Sequence, residues 1–280
     1  MKLSEMRQLL SDGTIQLTKS LGQNFLHDAH QLQRIVKAAE LTATDQVLEV
    51  GPGLGPLTEL LVAQAGKVLA IETDLRLIDV LKKKFSTAPN LTLLHDDALA
   101  YIRRASHDWS QWKLVANLPY SIASPLLVDL AESPLGPRCI VVTLQLEVAR
   151  RLEARADDDD YGLLSLLVQL RYEPRGMFKI PSQCFFPEPG VDSACITLLR
   201  RPQPLLSVEQ STTFKRIVKR AFSQRRKMMM KLLKQDWSAE SLSSAFSSLG
   251  ISPQARAEAV ELERFIQLAS FLHATRHRIA

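Results

Sequence analysis

Between residues 44 and 199 the sequence alternates short apolar runs with longer amphipathic ones, and this alternation constrains the fold more than any other feature. The apolar runs are predicted to form buried strands at residues 46–50, 67–71, 91–94, 114–116 and 140–144. Helical spacing is found over 56–65, 74–85, 124–131 and 145–154, where Ser124 and Pro125 form the start signal of the third helix. Repeated strand and helix units predict an α/β fold with a largely parallel, doubly wound sheet. Such sheets bind ligands at the carboxyl ends of their strands.

The pattern changes after Arg200, where Arg-Pro-Gln-Pro at 201–204 indicates a linker. The predicted first domain spans 1–200, with a helical lead-in over 1–43 and an antiparallel strand pair, 172–178 and 194–199, closing the sheet. Residues 201–280 are predicted to form a small all-helical domain, with helices at 214–235, 238–249 and 254–272.

Composition excludes several classes of protein. The 280 residues are 46% hydrophobic and 23% charged, values that exclude a disordered or low-complexity chain. No run approaches the roughly 18 apolar residues of a membrane span, and the first ten residues lack the apolar core of a secretory signal. We therefore expect a cytoplasmic protein that does not contact membranes. The three cysteines, Cys139, Cys184 and Cys195, are spaced too widely for a disulfide framework or a metal site.

A glycine-rich turn follows the first predicted strand. Gly51, Gly53 and Gly55 alternate with other residues before a helix that begins at Pro56. Glycines allow a tight turn and let a ligand lie against bare backbone, and the following helix N-terminus supplies N–H donors. A turn of this kind also occurs for purely structural reasons, so the glycines alone do not establish a ligand site.

Acidic residues at the next two strand ends strengthen the prediction of a cofactor site. Glu72 lies 21 residues after Gly51, where a carboxylate can accept both hydroxyls of a ribose. Asp97 follows the third strand, where it can hold an adenine amino group. The alternative interpretation is that Glu72 and Asp97 are exposed acidic residues at strand ends that bind no ligand. The GxGxG spacing differs from the GxGxxG of dinucleotide sites and favours S-adenosylmethionine over NAD.

The fourth strand ends in Asn117-Leu118-Pro119-Tyr120, a tetrapeptide typical of enzymes that methylate planar amino nitrogens. The lone pair of an exocyclic adenine amine is delocalised into the ring, so two acceptors on its N–H groups are needed to restore it. The Asn117 side-chain oxygen and the Leu118 carbonyl are the predicted acceptors, and Pro119 biases Leu118 away from helical geometry. Tyr120 offers an aromatic face for an unstacked base. The alternative interpretation is that Asn117–Tyr120 form an ordinary turn after the strand, without a catalytic role.

Methyl transfer by in-line displacement needs no metal or covalent nucleophile, because proximity, alignment and matched acceptors supply the catalysis. We predict no metal site, since none of the six histidines shows metal-ligand spacing. The acidic run Asp157–Asp160 is interpreted as a solvated loop.

Basic residues concentrate between positions 215 and 234, with no acid among them. If this segment is one helix, positions 216, 219, 220, 227, 231 and 234 share one side. The net charge of the chain is +5, and this concentration predicts contact with a phosphate backbone. A membrane surface or an acidic partner remains the alternative for a basic amphipathic helix.

Together these segments resemble the ribosomal RNA adenine dimethyltransferases that act on the small subunit. The resemblance covers nearly the whole chain, and three further segments carry it: Leu-Gly-Gln-Asn-Phe-Leu at 21–26, Phe-Phe-Pro-Glu-Pro-Gly-Val-Asp-Ser-Ala at 185–194 and Phe-Ser-Gln-Arg-Arg-Lys at 222–227. Residues 157–160 and 181–186 differ in detail from the family pattern.

The resemblance implies a Rossmann-like class I methyltransferase. It would place two methyl groups on N6 of each of two adjacent adenosines in a hairpin near the 3′ end of 16S ribosomal RNA, acting as a monomer on an immature 30S-type particle during ribosome biogenesis. Asn24 and Leu26 would bound the methionine end of the cofactor above Gly51, and Phe185 would sandwich the target base against Tyr120. The implied RNA-binding residues are Lys219, Arg220, Arg225, Arg226 and Lys227.

Three other functions remain as alternatives. A non-catalytic nucleic-acid-binding assembly or transcription factor would keep the fold and the basic segment, although intact Glu72, Asp97 and Asn117 argue against it. A DNA adenine methyltransferase is disfavoured because the chain lacks a further domain large enough to read duplex sequence. A dehydrogenase is disfavoured by the absence of GxGxxG.

Overall fold

A computed structural model describes residues 3–11, 24–104, 107–224 and 226–276. The chain divides into two compact units, Met1–Ala149 with Glu173–Arg200 and Arg150–Tyr172 with Arg201–Ala280. This division differs from the predicted boundary at residue 200, because residues 150–172 belong with the C-terminal part of the chain. The hydroxyl of Tyr161 donates to the carbonyl of Val260 at 2.9 Å, which ties this segment to the helical unit.

The first unit contains a seven-stranded sheet and a separate two-stranded one. Its strands are β1 (Phe25–Leu26), β2 (Gln46–Val50), β3 (Lys67–Glu72), β4 (Leu91–His95), β5 (Trp112–Asn117), β6 (Cys139–Gln145), β7 (Tyr172–Ile180), β8 (Phe185–Phe186) and β9 (Ser193–Arg200), the first residue of β7 belonging to the second unit. Its helices are α1 (Leu3–Ser11), α2 (Ala29–Ala38), α3 (Pro56–Gln64), α4 (Leu75–Lys84), α5 (Ala98–Arg104) and α6 (Tyr120–Glu132), and α7 (Leu146–Glu153) continues into the second unit.

The strand order of the large sheet is β4-β3-β2-β5-β6-β9-β7. Strands β2 to β6 run parallel to one another. Strand β9 lies beside β6 and runs antiparallel to it. All five predicted parallel strands and both predicted closing strands are confirmed. The order reverses direction between β2 and β5, because the chain moves outward to β4 and then returns to the other side of β2. Such a switch point opens a crevice at the carboxyl ends of the two strands.

Burial explains why the strands are continuous apolar runs. Strands β2, β5 and β6 are almost entirely buried, which requires cover on both faces and is typical of parallel sheets. Edge strand β4 is only partly buried. The doubly wound α/β architecture that the strand–helix alternation predicts is therefore confirmed, and so is the Rossmann-like fold that the resemblance implies.

Two details of the helix prediction in this unit are wrong. Helix α6 begins at Tyr120 with Pro119 as its N-cap, so Ser124 and Pro125 lie inside the helix rather than at its start. The Ser-Pro pair is a false start signal, because the turn after β5 passes directly into the helix. Helix α5 is absent from the sequence prediction.

Among the residues that the structure describes, the second unit is built of helices and their connecting turns, and Tyr172 is its one strand residue. Its helices after α7 are α8 (Leu163–Gln169), α9 (Val208–Ala221), α10 (Met229–Leu233), α11 (Ala239–Ser248) and α12 (Leu262–Arg276). Within the described ranges, no helix combines the length and the apolar character that crossing a membrane requires.

The single helix predicted over residues 214–235 is wrong. Helix α9 begins after Ser207, whose side chain accepts from the Gln210 N–H in a capping box, and ends at Ala221. The Ser223 hydroxyl bonds back to the Arg220 carbonyl, and the chain turns before it resumes as α10 at Met229. Basic residues before and after this break therefore do not share one helix face.

Candidate active site

The glycine turn joins β2 to α3 at the switch point of the sheet. Gly51 and Gly53 have φ values of +68° and +61°, in the left-handed region that favours glycine. A Cβ atom at Gly51 would lie 3.1 Å from the Pro119 ring, and one at Gly53 would lie 2.7 Å from the Phe25 ring. The turn is thus glycine-rich both for its conformation and because other parts of the chain approach its backbone closely.

Glu72 ends β3 beside this turn and is buried. Its carboxylate accepts N–H bonds from Gly53 at 3.1 Å and from Thr73 and Asp74 at 3.0 Å. Burial raises the pKa of Glu72 above its ordinary value, and the three backbone N–H groups act in the opposite direction. The carboxylate therefore fixes the glycine turn relative to the end of β3.

Asn117 ends β5 and lies on the other side of the crevice. Its side-chain nitrogen donates to the Asn24 carbonyl at 3.1 Å. Its side-chain oxygen Oδ1 is buried and has no hydrogen-bond partner. A buried acceptor without a donor is unfavourable by roughly 1–3 kcal/mol, so this atom is suited to accept a hydrogen bond from a ligand.

A cavity of about 40 Å³ lies between these elements, enough for a few water-sized groups. It brings together seven of the predicted site residues: Asn24, Leu26, Gly51, Asn117, Leu118, Pro119 and Tyr120. Residues more than 90 positions apart in the chain therefore meet at one point, as the strand-end argument predicts.

The backbone of the tetrapeptide is held by the neighbouring strand. The N–H of Leu118 donates to the Thr143 carbonyl of β6 at 3.0 Å. Pro119 has φ −57° and ψ 128°, an extended conformation from which α6 begins at Tyr120. The Tyr120 hydroxyl lies 2.7 Å from the Ser193 hydroxyl. This segment is thus anchored at the strand and at the far end of the tyrosine ring.

Four predicted site residues are not among those that line the cavity: Gly53, Glu72, Asp97 and Phe185. Asp97 is exposed, and its carboxylate accepts from the Ala100 N–H at 2.7 Å in the first turn of α5. Phe185 is only 2% exposed, since it packs in the core and pairs with Leu26 through β8 and β1. The role of Phe185 as the partner of Tyr120 around the target base stays a prediction.

Glu49 lines the cavity although the sequence reasoning did not select it. It is 1% exposed, and its Oε2 has no hydrogen-bond partner. Burial, together with the nearby charge of Glu72, raises the pKa of Glu49 to about 8, and Lys84 and Thr58 act in the opposite direction. The available signal was an acid within a largely apolar strand, two residues before Gly51.

The second unit carries the predicted basic residues. Lys219, Arg226 and Lys227 are exposed, whereas Arg225 lies outside the described residues. Arg220 donates to Asp236 at 2.6 Å, and Arg216 donates to the same carboxylate at 2.5 Å. Asp236 stands just beyond the acid-free segment, so its neutralising effect was missed. These side chains and their neighbours line a shallow concavity of about 520 Å³: Thr212, Lys215, Arg216, Lys219, Arg220 and Asp236.

Other candidate groups are structural. Among the described residues, no group of three or more His, Cys, Asp or Glu side chains is arranged to hold a metal ion. All three cysteines are buried and free, and burial raises their thiol pKa values. The run Asp157–Asp160 lies in a turn where the Asp157 N–H donates to the Glu258 carbonyl.

Comparisons with known proteins agree with this geometry. The ribosomal RNA adenine dimethylase family model matches residues 15–274. Ribosomal RNA small subunit methyltransferase A of Pelotomaculum thermopropionicum is 40% identical, over 96% of both chains. The protein of the same name from Latilactobacillus sakei is 38% identical, over 95% of this chain and 93% of that one.

Solved structures show the same similarity. The 23S rRNA methyltransferase ErmE has a TM-score of 0.70 and 29% identity, over 89% of this chain and 99% of that one. A dimethyladenosine transferase from Plasmodium falciparum shares the fold, with a TM-score of 0.72 and 24% identity over 87% of this chain and 95% of that one. The chain belongs to the ribosomal RNA adenine dimethylase family.

Proposed function

We propose that this protein is an S-adenosylmethionine-dependent dimethyltransferase. Its substrate would be N6 of two adjacent adenosines in a hairpin loop near the 3′ end of small-subunit ribosomal RNA. Family membership and the names of the relatives support RNA adenine as the substrate class. The observation that carries the chemistry is the buried, unpartnered Oδ1 of Asn117 in a cavity that it shares with Gly51 and Tyr120.

The residues around the glycine turn fit the methyl donor. Gly51 and Gly53 present backbone without side chains, Glu72 is a buried carboxylate beside them, and Asp97 is an exposed carboxylate at the next strand end. Asn24 and Leu26 line the cavity itself and would enclose the methionine end. When bound, S-adenosylmethionine supplies an electrophilic methyl group.

Asn117 and Leu118 would activate the target amine. The Asn117 Oδ1 atom accepts one N–H of the adenine amino group, and the Leu118 carbonyl accepts the other. These two bonds direct the nitrogen lone pair out of the ring plane, toward the methyl donor. They also stabilise the positive charge that develops on nitrogen in the transition state.

Tyr120 would hold the target base by stacking, a contact worth about 1–3 kcal/mol per base. The adenosine must be unpaired or swung out of its helix to reach the cavity, which favours a loop. After the first transfer the methylated nitrogen releases one proton to water and keeps one N–H, so Asn117 and Leu118 no longer both have a donor. The second transfer therefore needs the amine to rotate or rebind.

The exposed basic residues of the second unit would bind the RNA backbone. Lys219, Arg226 and Lys227 are exposed, and Arg225 belongs to the same motif. Arg220 contributes less free charge because it shares Asp236 with Arg216. Such contacts position the RNA without selecting the base. We propose that the protein binds an immature small-subunit particle as a monomer.

A labelling experiment tests this function. The protein is incubated with radiolabelled S-adenosylmethionine and unmodified small ribosomal subunits, and the RNA is then digested to nucleosides. We expect the label in N6,N6-dimethyladenosine. Binding of the cofactor and of the particle without any transfer would instead identify a non-catalytic assembly factor on a methyltransferase fold. Labelled duplex DNA in a parallel reaction would identify a DNA methyltransferase.

A further inference from the structure

The hydroxyl groups of Tyr120 and Ser193 form a hydrogen bond of 2.7 Å. They are 73 residues apart and belong to two separate sequence motifs, the tetrapeptide after β5 and the segment that leads into β9. Ser193 is fully buried, and Tyr120 is partly buried beside the cavity. The bond therefore joins a residue of the candidate site to one that does not line it.

Ser193 is held firmly by its surroundings. It pairs with Gln145 in the antiparallel register of β6 and β9. The preceding Asp192 accepts from the Ser182 N–H at 3.0 Å through its carboxylate, and its carbonyl accepts from the Leu146 N–H at 3.0 Å. With the backbone fixed on both sides, the serine hydroxyl has a defined position relative to the sheet.

The Tyr120 side chain needs such a restraint. It is the first residue of α6, and its ring direction depends on two side-chain torsions. A hydrogen bond at the phenol oxygen, the atom farthest from the backbone, fixes the first torsion and therefore where the ring lies. The oxygen lies on the axis of the second torsion, so the bond restrains that torsion only through the preference of the O–H for the ring plane. Burial raises the pKa of Tyr120, so the phenol keeps its proton near neutral pH and remains able to bond to Ser193.

We propose that Ser193 is a positioning residue, whose hydroxyl holds the Tyr120 ring at the place where the target adenine stacks on it. This inference rests on the proposed function. A rigid ring matters most for the second methyl transfer, because the monomethylated amine offers a single N–H to Asn117 and Leu118. Stacking must then supply more of the alignment, so losing the restraint affects the second transfer more than the first.

Removing the bond from either end provides the test. In Ser193→Ala and Tyr120→Phe we expect a higher KM for the ribosomal particle and a second-transfer rate reduced about threefold to tenfold, the range of one net hydrogen bond. N6-monomethyladenosine should accumulate in both variants. The double variant should be no worse than either single one, since all three lack the same bond. Affinity for S-adenosylmethionine should not change.

Ser165→Ala is the matched control. Ser165 is also fully buried, and its hydroxyl donates to the Arg151 carbonyl within the second unit. This variant loses that bond and the one that the hydroxyl accepts from the Gly162 N–H, without affecting Tyr120. We therefore expect the wild-type ratio of mono- to dimethylated adenosine. An equal rise of that ratio in Ser165→Ala would overturn the proposal, because it would indicate general destabilisation.

Four further outcomes are decisive. Wild-type product ratios in Tyr120→Phe would overturn the positioning role even if Ser193→Ala failed to fold. Additive losses in the double variant would also overturn it, since the two residues would then act separately. If the wild-type protein itself transferred no methyl group, the proposed function would fail, whereas dimethylation at equal rates in every variant would reject only the role of Ser193.

Discussion

The side-chain nitrogen of Asn117 donates a hydrogen bond of 3.1 Å to the backbone carbonyl of Asn24. This bond determines which end of the amide faces the cavity, because the nitrogen is used by the carbonyl and Oδ1 is left without a partner. The residue before β1 thus orients the acceptor at the end of β5. An acceptor oriented in advance stabilises developing charge without having to reorganise during the reaction.

We expect Asn117→Ala to lower kcat for methyl transfer by about 100-fold to 1000-fold, the effect of removing one preorganised polar group from a transition state. The fold should persist, because Asn117 stands at a strand end. Single-turnover transfer to small subunits measures the loss. Asn90→Ala is the contrasting control, since the Asn90 side chain donates to the Val62 and Ala65 carbonyls around the end of α3. It should lower Tm and leave kcat unchanged, and near-normal transfer by Asn117→Ala would remove that residue from the mechanism.

Gly53→Ala should weaken S-adenosylmethionine binding and lower Tm. The new Cβ would lie 2.7 Å from the Phe25 ring, at a φ of +61° that disfavours alanine. Gly176→Ala separates the effect of the positive φ from that of the contact with Phe25. Gly176 also has a positive φ, +109°, but a Cβ atom there would meet no other atom within 4 Å. Calorimetric titration and thermal unfolding measure both variants. Comparable cofactor affinities in the two would show that contact with Phe25 is unimportant.

Glu49→Gln should change the pH dependence of stability. The pKa of Glu49 is about 8 in the folded protein and 4.5 ordinarily. Between these values the unfolded chain releases a proton that the folded protein keeps. The free energy of unfolding therefore falls with rising pH, by at most about 1.4 kcal/mol per pH unit from this group. This loss of stability is complete above about pH 8 and absent below the ordinary pKa of 4.5.

Urea unfolding of the wild type and of Glu49→Gln at several pH values from 4 to 9 measures this difference. Glutamine cannot titrate, so the stability of the variant relative to the wild type should increase across that window. Parallel curves for the two proteins would mean that Glu49 has an ordinary pKa in the folded state.

RNA binding should respond in opposite directions to changes in α9 and at Asp236. Lys219→Gln should weaken binding and reduce the salt slope by about one, as expected for a lost phosphate contact. Asp236→Asn frees Arg216 and Arg220 from their shared carboxylate, so binding should tighten and the slope should steepen. Binding to small-subunit RNA is measured across a salt series.

Glu240→Gln is the control for net charge in that experiment. Glu240 is an exposed acid in the first turn of α11, and its neutralisation changes the total charge by the same amount as Asp236→Asn. We expect only a small effect. Equal tightening by Glu240→Gln and Asp236→Asn would show that total charge, rather than release of the two arginines, governs affinity.

Local sequence patterns predict those parts of the fold that depend on neighbours in the chain. Strand β2 is predicted with the bounds Gln46–Val50 that the structure shows, because a buried parallel strand is a continuous apolar run. The start of α6 is predicted four residues too late, since Ser124-Pro125 imitates a helix start. The break between α9 and α10 is missed because basic and apolar spacing continues through it.

The sequence by itself determined the five parallel strands, the glycine turn after β2 and the Asn-Leu-Pro-Tyr segment at the end of β5, because each is encoded within a few consecutive residues. Only the tertiary structure decided that Phe185 lies in the core, that Glu49 faces the cavity, that Tyr120 bonds to Ser193 and that Asp236 holds two arginines. These contacts join residues distant in the chain. Their formation depends on strand register and packing, which no short segment of sequence specifies.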